Sequence, residues 1–245
     1  MLTVAVAFAP PTRSSKVLIN QDKVAYQPTG SEGAIIGKIS FEGKPPQPKR
    51  IDGSADPVCQ ADGAELYTQD VIVKAGKLAN VLVYVESGDA LNWFTFDAPS
   101  TEVSLAHRGC QYIPHVLAMQ LPQTLKIPNE DATAHNTHFT PKNNADWNQS
   151  SLQDTPPLTL KFTAPEVVIP VKCNQHPWEK AYVAVFSHPF FAISALNGSY
   201  QISGLPPGQY TIVAWHERFG EQRAEVSVGV KERKNQDFSF KLPDQ

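Results

Sequence analysis

The sequence predicts an all-β fold, and two patterns carry that expectation. The 21 prolines and 14 glycines are spread between short apolar runs, a punctuation that suits strands and turns better than long helices. The runs themselves alternate apolar and polar residues with period two, as half-buried strands do. A length of 245 residues is enough for one large β-domain or two ordinary ones. With 41% hydrophobic and 18% charged residues the chain should pack rather than remain disordered. A net charge of -3 and the lack of a long basic run argue against nucleic acid as a partner.

The elements follow in order. Residues 1–9, MLTVAVAFA, are too short an apolar stretch to span a bilayer. They read as the end of a secretory signal with Ala7-Phe8-Ala9 as its cleavage site, which places the protein in the periplasm or outside the cell. The alternative is a buried strand. Residues 10–32 are polar and read as a tether. No other segment is apolar enough to be transmembrane. From Gly33, Ile35, Gly37, Ile39 and Phe41 share one face of a strand that Gly43-Lys44-Pro45-Pro46 ends. A second strand spans 80–86, with Val81, Val83 and Val85 on one face. Residues 87–101 read as a loop anchored by Trp93, Phe94 and Phe96. Residues 140–160 read as a long polar loop, with Trp147 either an anchor for that loop or a packing plug. Near the end, Phe191-Ala192-Ile193 and Tyr200-Gln201-Ile202 flank Asn197-Gly198, a type I′ hairpin signal. Leu205-Pro206-Pro207-Gly208 makes a further turn before apolar runs at 210–215, 226–230 and 238–240.

Chemistry concentrates between residues 124 and 179. Val167, Ile169 and Val171 alternate on a strand that ends at Cys173, and His176 follows three residues later. Residues 124–127 form another strand, which runs through the turn Asn129-Glu130-Asp131 to His135-Asn136. One thiol and two imidazoles from two loops are the donor set of a trigonal copper site. The three cysteines leave one unpaired or on a metal. A Cys59–Cys110 disulfide would leave Cys173 free; otherwise Cys59 and Cys110 are buried, inert thiols. No G-x-S-x-G nucleophile motif or phosphate-binding glycine loop occurs, so no enzyme activity is expected.

Two resemblances extend this reading. The segments GAIIGKISFEGKPP and NGSYQISGLPPGQYTIVAWHE resemble the two ends of a carboxypeptidase-regulatory-like β-sandwich. They stand much farther apart here than in a simple member. The implied organisation is one discontinuous sandwich, 33–100 with 189–245, and an inserted domain at 101–188. A tandem of separate small domains is the rival. Within the insertion, Tyr112-Ile113-Pro114-His115-Val116-Leu117, Leu125-Lys126-Ile127-Pro128-Asn129-Glu130-Asp131, His135-Asn136 and Cys173-Asn174-Gln175-His176-Pro177-Trp178 resemble the cupredoxin family, with an amicyanin-like ligand loop.

That resemblance implies a Greek-key sandwich, one mononuclear copper ion and electron transfer with a redox partner protein. It makes His135, Cys173 and His176 the equatorial ligands. Asn136 would tie the ligand loops together. Pro177 and Trp178 would form an apolar collar around His176, whose exposed ring edge is the family's usual electron route. The family's loop has methionine where this chain has Glu179, and Met119 lies too early to replace it. Glu179 either coordinates, lowering the reduction potential, or points to solvent; two His, a Cys and a Glu also suit zinc. His138 should face away from His135, and His107 and His115 should lie on strand surfaces or in loops. His188-Pro189 should mark a domain join. Trp215-His216-Glu217 should be a strand end, a docking contact or a second metal site. The rival functions are copper storage or delivery to an acceptor, a cell-envelope interaction module with a degenerate site, and an enzyme with an open copper site.

Overall fold

A computed structural model describes residues 23–63 and 65–242. The signal read at 1–9 and the first part of the tether, 10–22, lie outside them. The remainder of that tether is mostly exposed but touches the fold at two points. Val24–Ala25 pairs in parallel with Phe94–Thr95, and the ring of Tyr26 lies 5.0 Å from Phe94 and 5.4 Å from Phe96. Phe94 and Phe96 thus anchor the 87–101 segment, whereas Trp93 ends a short helix, Asp89–Trp93, and is exposed. Among the described residues, no helix is long and apolar enough to cross a membrane.

The chain is all-β, with several sheets around two main apolar cores. The first core lies between two sheets. One has the order Phe191–Ile193, Leu82–Gly88, Gly208–His216, Gly220–Val228. The other centres on Gly33–Glu42, flanked by Ser199–Leu205 on one side and by Arg233–Asn235 and Phe238–Lys241 on the other. Ile35, Ile39 and Phe41 enter this core from the alternation that defines their strand, as do Val81, Val83 and Val85 from theirs.

Asn197-Gly198 does not close a hairpin, contrary to the turn signal. Phe191–Ile193 pairs with Leu82–Gly88, whereas Ser199–Leu205 pairs with Gly33–Glu42, so the turn carries the chain from one sheet to the other. Glycine is needed there for two reasons. Gly198 has φ +74°, and a Cβ on it would come 2.4 Å from the carbonyl oxygen of Ile39. Leu205-Pro206-Pro207-Gly208 makes a second crossing, fixed by Tyr210 Oη donating to the Pro206 carbonyl at 2.6 Å.

The second core lies between a five-stranded and a three-stranded sheet. The five strands run in the order Val116–Gln120, Lys180–Phe186, Glu166–Lys172, His135–Phe139, Trp147–Ser151. The three are Leu158–Leu160, Leu125–Ile127 and Val103–Ser104. Two of these strands lie in the stretch 140–160 that reads as a loop. Their polar side chains hide them, because edge strands with one solvated face need few apolar residues. Trp147 plugs the core beside Phe139, at 5.8 Å between rings. The strand ending at the ligand loop also departs from simple alternation. Its register shifts between Glu166 and Ile169, with Val168 at φ 64°. Ile169 and Val171 therefore enter the second core, while Val167 turns to the opposite side.

A third apolar cluster joins the two halves. Leu82, Tyr84 and Val213 meet Val116, Ala184 and Phe186 there. Trp215 adds an edge-on contact with Tyr182, 5.1 Å between rings. Glu217 crosses the same boundary and accepts from His115 Nε2, from Lys180 Nζ at 2.8 Å and from Tyr182 Oη at 3.3 Å. Of the roles open to Trp215-His216-Glu217, docking is the one these contacts serve. His216 itself stacks on Phe219. His188, at the chain's return to the first core, is buried between Phe186 and Phe190.

Candidate metal centre

Two segments at one end of the second core converge. The strand Glu166–Lys172 delivers Cys173, and the chain then turns tightly. Cys173 N–H donates to the Glu179 carbonyl at 3.0 Å, and Glu179 N–H donates to the His176 carbonyl at 2.9 Å. This closed loop holds Cys173, His176 and Glu179 on one inner side. His135 opens the adjacent strand, His135–Phe139.

One ligand atom from each of His135, Cys173, His176 and Glu179 lies within 4.8 Å of the other three, and all four residues are buried. His135 Nδ1 lies 3.1 Å from His176 Nδ1 and 2.9 Å from Glu179 Oε2. His176 Nδ1 is 3.7 Å from Cys173 Sγ and 3.6 Å from Glu179 Oε2. Both Nδ1 atoms, one sulfur and one carboxylate oxygen therefore share one small volume. Glu179 does not point to solvent; its side chain is fully buried. Met119 is buried in the second core and is not among the four.

Each donor is aimed by a partner behind it. His135 Nε2 is 3.0 Å from Asp131 Oδ2, and His176 Nε2 is 3.2 Å from Asp56 Oδ2. A carboxylate only accepts, so each Nε2 carries its proton outward and leaves Nδ1 to face the shared volume. Asp131 is held by the N–H groups of Gly109 and Cys110, at 2.6 and 2.9 Å. Asp56 is held by the Thr133 hydroxyl at 2.5 Å. The sulfur accepts from Asn136 N–H at 3.3 Å and from His176 N–H at 3.4 Å. Asn136 also links the loops through its side chain, which reaches Asn148 at 2.7 Å and accepts from Asn174 N–H at 3.4 Å.

The electrostatics favour a cation. Burial alone would raise the Cys173 thiol, but hydrogen bonds from His135 and from Asn136 N–H outweigh it and move its pKa down. Burial likewise opposes charge on His135, yet Asp131, Cys173 and Glu179 outweigh it and push its pKa up to about 11. Burial would also raise the Glu179 carboxyl, but contacts with His107, His135 and His176 hold it well below the usual carboxylate range. The pocket thus sets a thiolate and a carboxylate against two imidazoles, a group of soft and borderline donors. Thiolate with two imidazoles suits copper, and the added carboxylate is also compatible with zinc.

Three expectations need correction. His107 is not on a surface. It is fully buried, its Nδ1 donates to Glu179 Oε1 at 2.6 Å, and its Nε2 accepts from the Thr137 hydroxyl at 2.8 Å. His115 is also buried, at the boundary with Glu217. Most consequential, the His176 ring has no exposed edge. The residue is 3% exposed, because Asp56 and Cys59 cover Nε2 and Trp178 packs 5.2 Å from the ring. Trp178 serves as the collar, while Pro177 is exposed. The cover comes from residues 50–68 of the first half of the chain. Its short 3-10 helix, Pro57–Gly63, is tied down by the Cys59–Cys110 disulfide. His138 faces away and pairs with Asp146 at 3.2 Å.

Asp131, Asp56 and His107 are the residues that sequence reasoning missed as supports. Asp131 lies four residues before His135 in a recognised turn. His107 continues the Val103, Leu105 alternation into a buried position, so a polar residue on an apolar face was its only signal. Asp56 had none.

No family model matches the chain, and no curated protein matches it. Similar solved structures include the Cu-containing nitrite reductase (NirK) from Thermus scotoductus SA-01, at 20% identity over 35% of this chain, with TM-score 0.33. This chain spans only 22% of that reductase. A purple cupredoxin from Nitrosopumilus maritimus is 20% identical over 34% of this chain and 99% of its own, with TM-score 0.30. Amicyanin from Paracoccus versutus is 18% identical over 42% of this chain and 96% of its own, with TM-score 0.31.

Proposed function

We propose that this protein is a cupredoxin-type copper protein, exported from the cytoplasm, that holds one copper ion with His135, Cys173, His176 and Glu179 and exchanges electrons with a partner protein. The observation that carries the reading is the meeting of both Nδ1 atoms with the Cys173 sulfur and the Glu179 carboxylate in one buried volume. Copper bound there would supply one-electron redox chemistry. The protein's part is to keep the donors in place. Asp131 and Asp56 orient the two rings, and the N–H groups of Asn136 and His176 stabilise the thiolate. Burial excludes water. The Cys59–Cys110 disulfide supports export, since such bonds persist in oxidising compartments. The sandwich around the first core is read as a carboxypeptidase-regulatory-like docking module, on the resemblance of its two ends.

A second reading, copper storage or delivery, draws on the covered His176 ring, which closes the usual electron exit. Adding Cu(II) to the purified protein tests the first. An intense visible thiolate-to-copper band and a reversible one-electron wave are expected, and Cys173→Ser should abolish both. Absence of both from copper-loaded protein, or binding of zinc alone, rejects the proposal. Slow electron exchange with ready release of copper to a chelator would favour delivery.

A further inference from the structure

The disulfide sits directly behind both ligand histidines. Cys59 Sγ is 3.7 Å from His176 Nε2, and Asp56, Cys59 and His176 each bring a ligand atom within 4.8 Å of the other two. Cys110, Asp131 and His135 form an equivalent trio. Two Asp–Cys–His groups are thus joined through one S–S bond, each sharing a histidine with the inner centre. Sulfurs bonded to each other are poor ligands. As thiolates they are the softest donors the chain has, and soft thiolates select Cu(I).

The geometry points to a second, outer metal site that exists only when Cys59–Cys110 is reduced, in which the two thiolates, flanked by Asp56 and Asp131, hold Cu(I) on its way to or from the inner centre. The inference rests on the copper reading above and deepens its delivery form. Position supports it. The inner donors are buried, while Ser54, Ala55, Pro57 and Val58, close to Cys59 in the chain, face solvent.

The switch needs a dithiol reductant. One of its thiolates attacks a sulfur of the S–S bond, and its second thiol resolves the mixed disulfide. Two electrons and two protons pass to Cys59 and Cys110, and the reductant leaves as its own disulfide. Binding of Cu(I) then forms the metal–sulfur bonds and releases the thiol protons to solvent.

Cys173→Ser removes the inner thiolate and isolates the outer pair. The variant is prepared oxidised and reduced, freed of reductant without air, and titrated with Cu(I) against a chromogenic chelator. Thiol counting and circular dichroism check reduction and fold. The reduced form should hold one Cu(I) per chain, about tenfold or more tighter than the oxidised form. Adding Cys59→Ser and Cys110→Ser should erase that difference. Equal retention by both forms, a disulfide that resists the dithiol in the folded chain, or unfolding on reduction would each overturn the proposal. Loss of the Cu(II) band in the oxidised wild-type protein would instead remove the function proposed above, while the Cys173→Ser comparison still decides the outer site.

Discussion

At the residue scale, the proposed copper site turns on Glu179. Its carboxylate is buried and ionised, one oxygen held by His107 and the other turned to the histidine Nδ1 atoms. An anionic donor favours the more highly charged copper ion. Glu179→Met should therefore raise the reduction potential by about 60 mV or more, the equivalent of a tenfold change in relative affinity for the two oxidation states. Voltammetry of the copper-loaded variant reads it directly. His107 acts through Glu179 as a positioning residue. His107→Ala strips a buried oxygen of its donor and should cost about 1–3 kcal/mol of stability. It should also weaken metal binding by about 10–100-fold. Denaturant midpoints and metal competition check the two effects, and His107→Gln, which can still donate, should recover part of the metal affinity.

At the scale of elements, rigidity comes from backbone placement. The ligand loop is short and closed by its own two hydrogen bonds, so the spacing of Cys173, His176 and Glu179 is set before any side chain packs. In the other half, Gly33–Glu42 is the central strand, and its partners approach too closely for a side chain. A Cβ on Gly37 would lie 1.9 Å from the Gln236 carbonyl oxygen, which is backbone and cannot swing away. Gly37→Ala should destabilise the protein by about 1–3 kcal/mol, read as a lower denaturant midpoint. Alternation alone places Gly37 on the buried face; the approach of Gln236 explains why the face has no side chain there.

At the scale of the molecule, the two halves share one site and one boundary. The part of the chain around the first core supplies Asp56 and Cys59 over the buried group of His135, Cys173, His176 and Glu179, and Glu217 against His115 and Lys180. Near this boundary two histidines are buried without charge. Burial is the main cause that lowers His188 and His216 from 6.5 to about 4. Below pH 6.5 the unfolded chain takes up protons that the folded chain refuses until about pH 4, so stability falls as the pH drops through this window. Above it both rings are neutral in both states and contribute no pH dependence. Each should cost about 2 kcal/mol at pH 5 relative to pH 7. Urea melts at the two pH values measure the loss, and His188→Gln should remove its share.

The sequence by itself marked the buried faces of the regular strands and singled out His135, Cys173, His176 and Glu179, the four side chains that meet in one buried volume. Period-two alternation records which side of a strand is buried, and a Cys, a His and a Glu within seven residues cannot lie far apart. It did not determine the crossing at Asn197-Gly198, the bulge at Val168 or the strands hidden in 140–160, because local propensity does not say which sheet a strand joins. Nor did it reveal the cover on His176. Cys59 and His176 are 117 residues apart, and no local pattern marks a contact between segments that distant. Burial of His107 and Asp56 against their partners is likewise a long-range event, decided by packing.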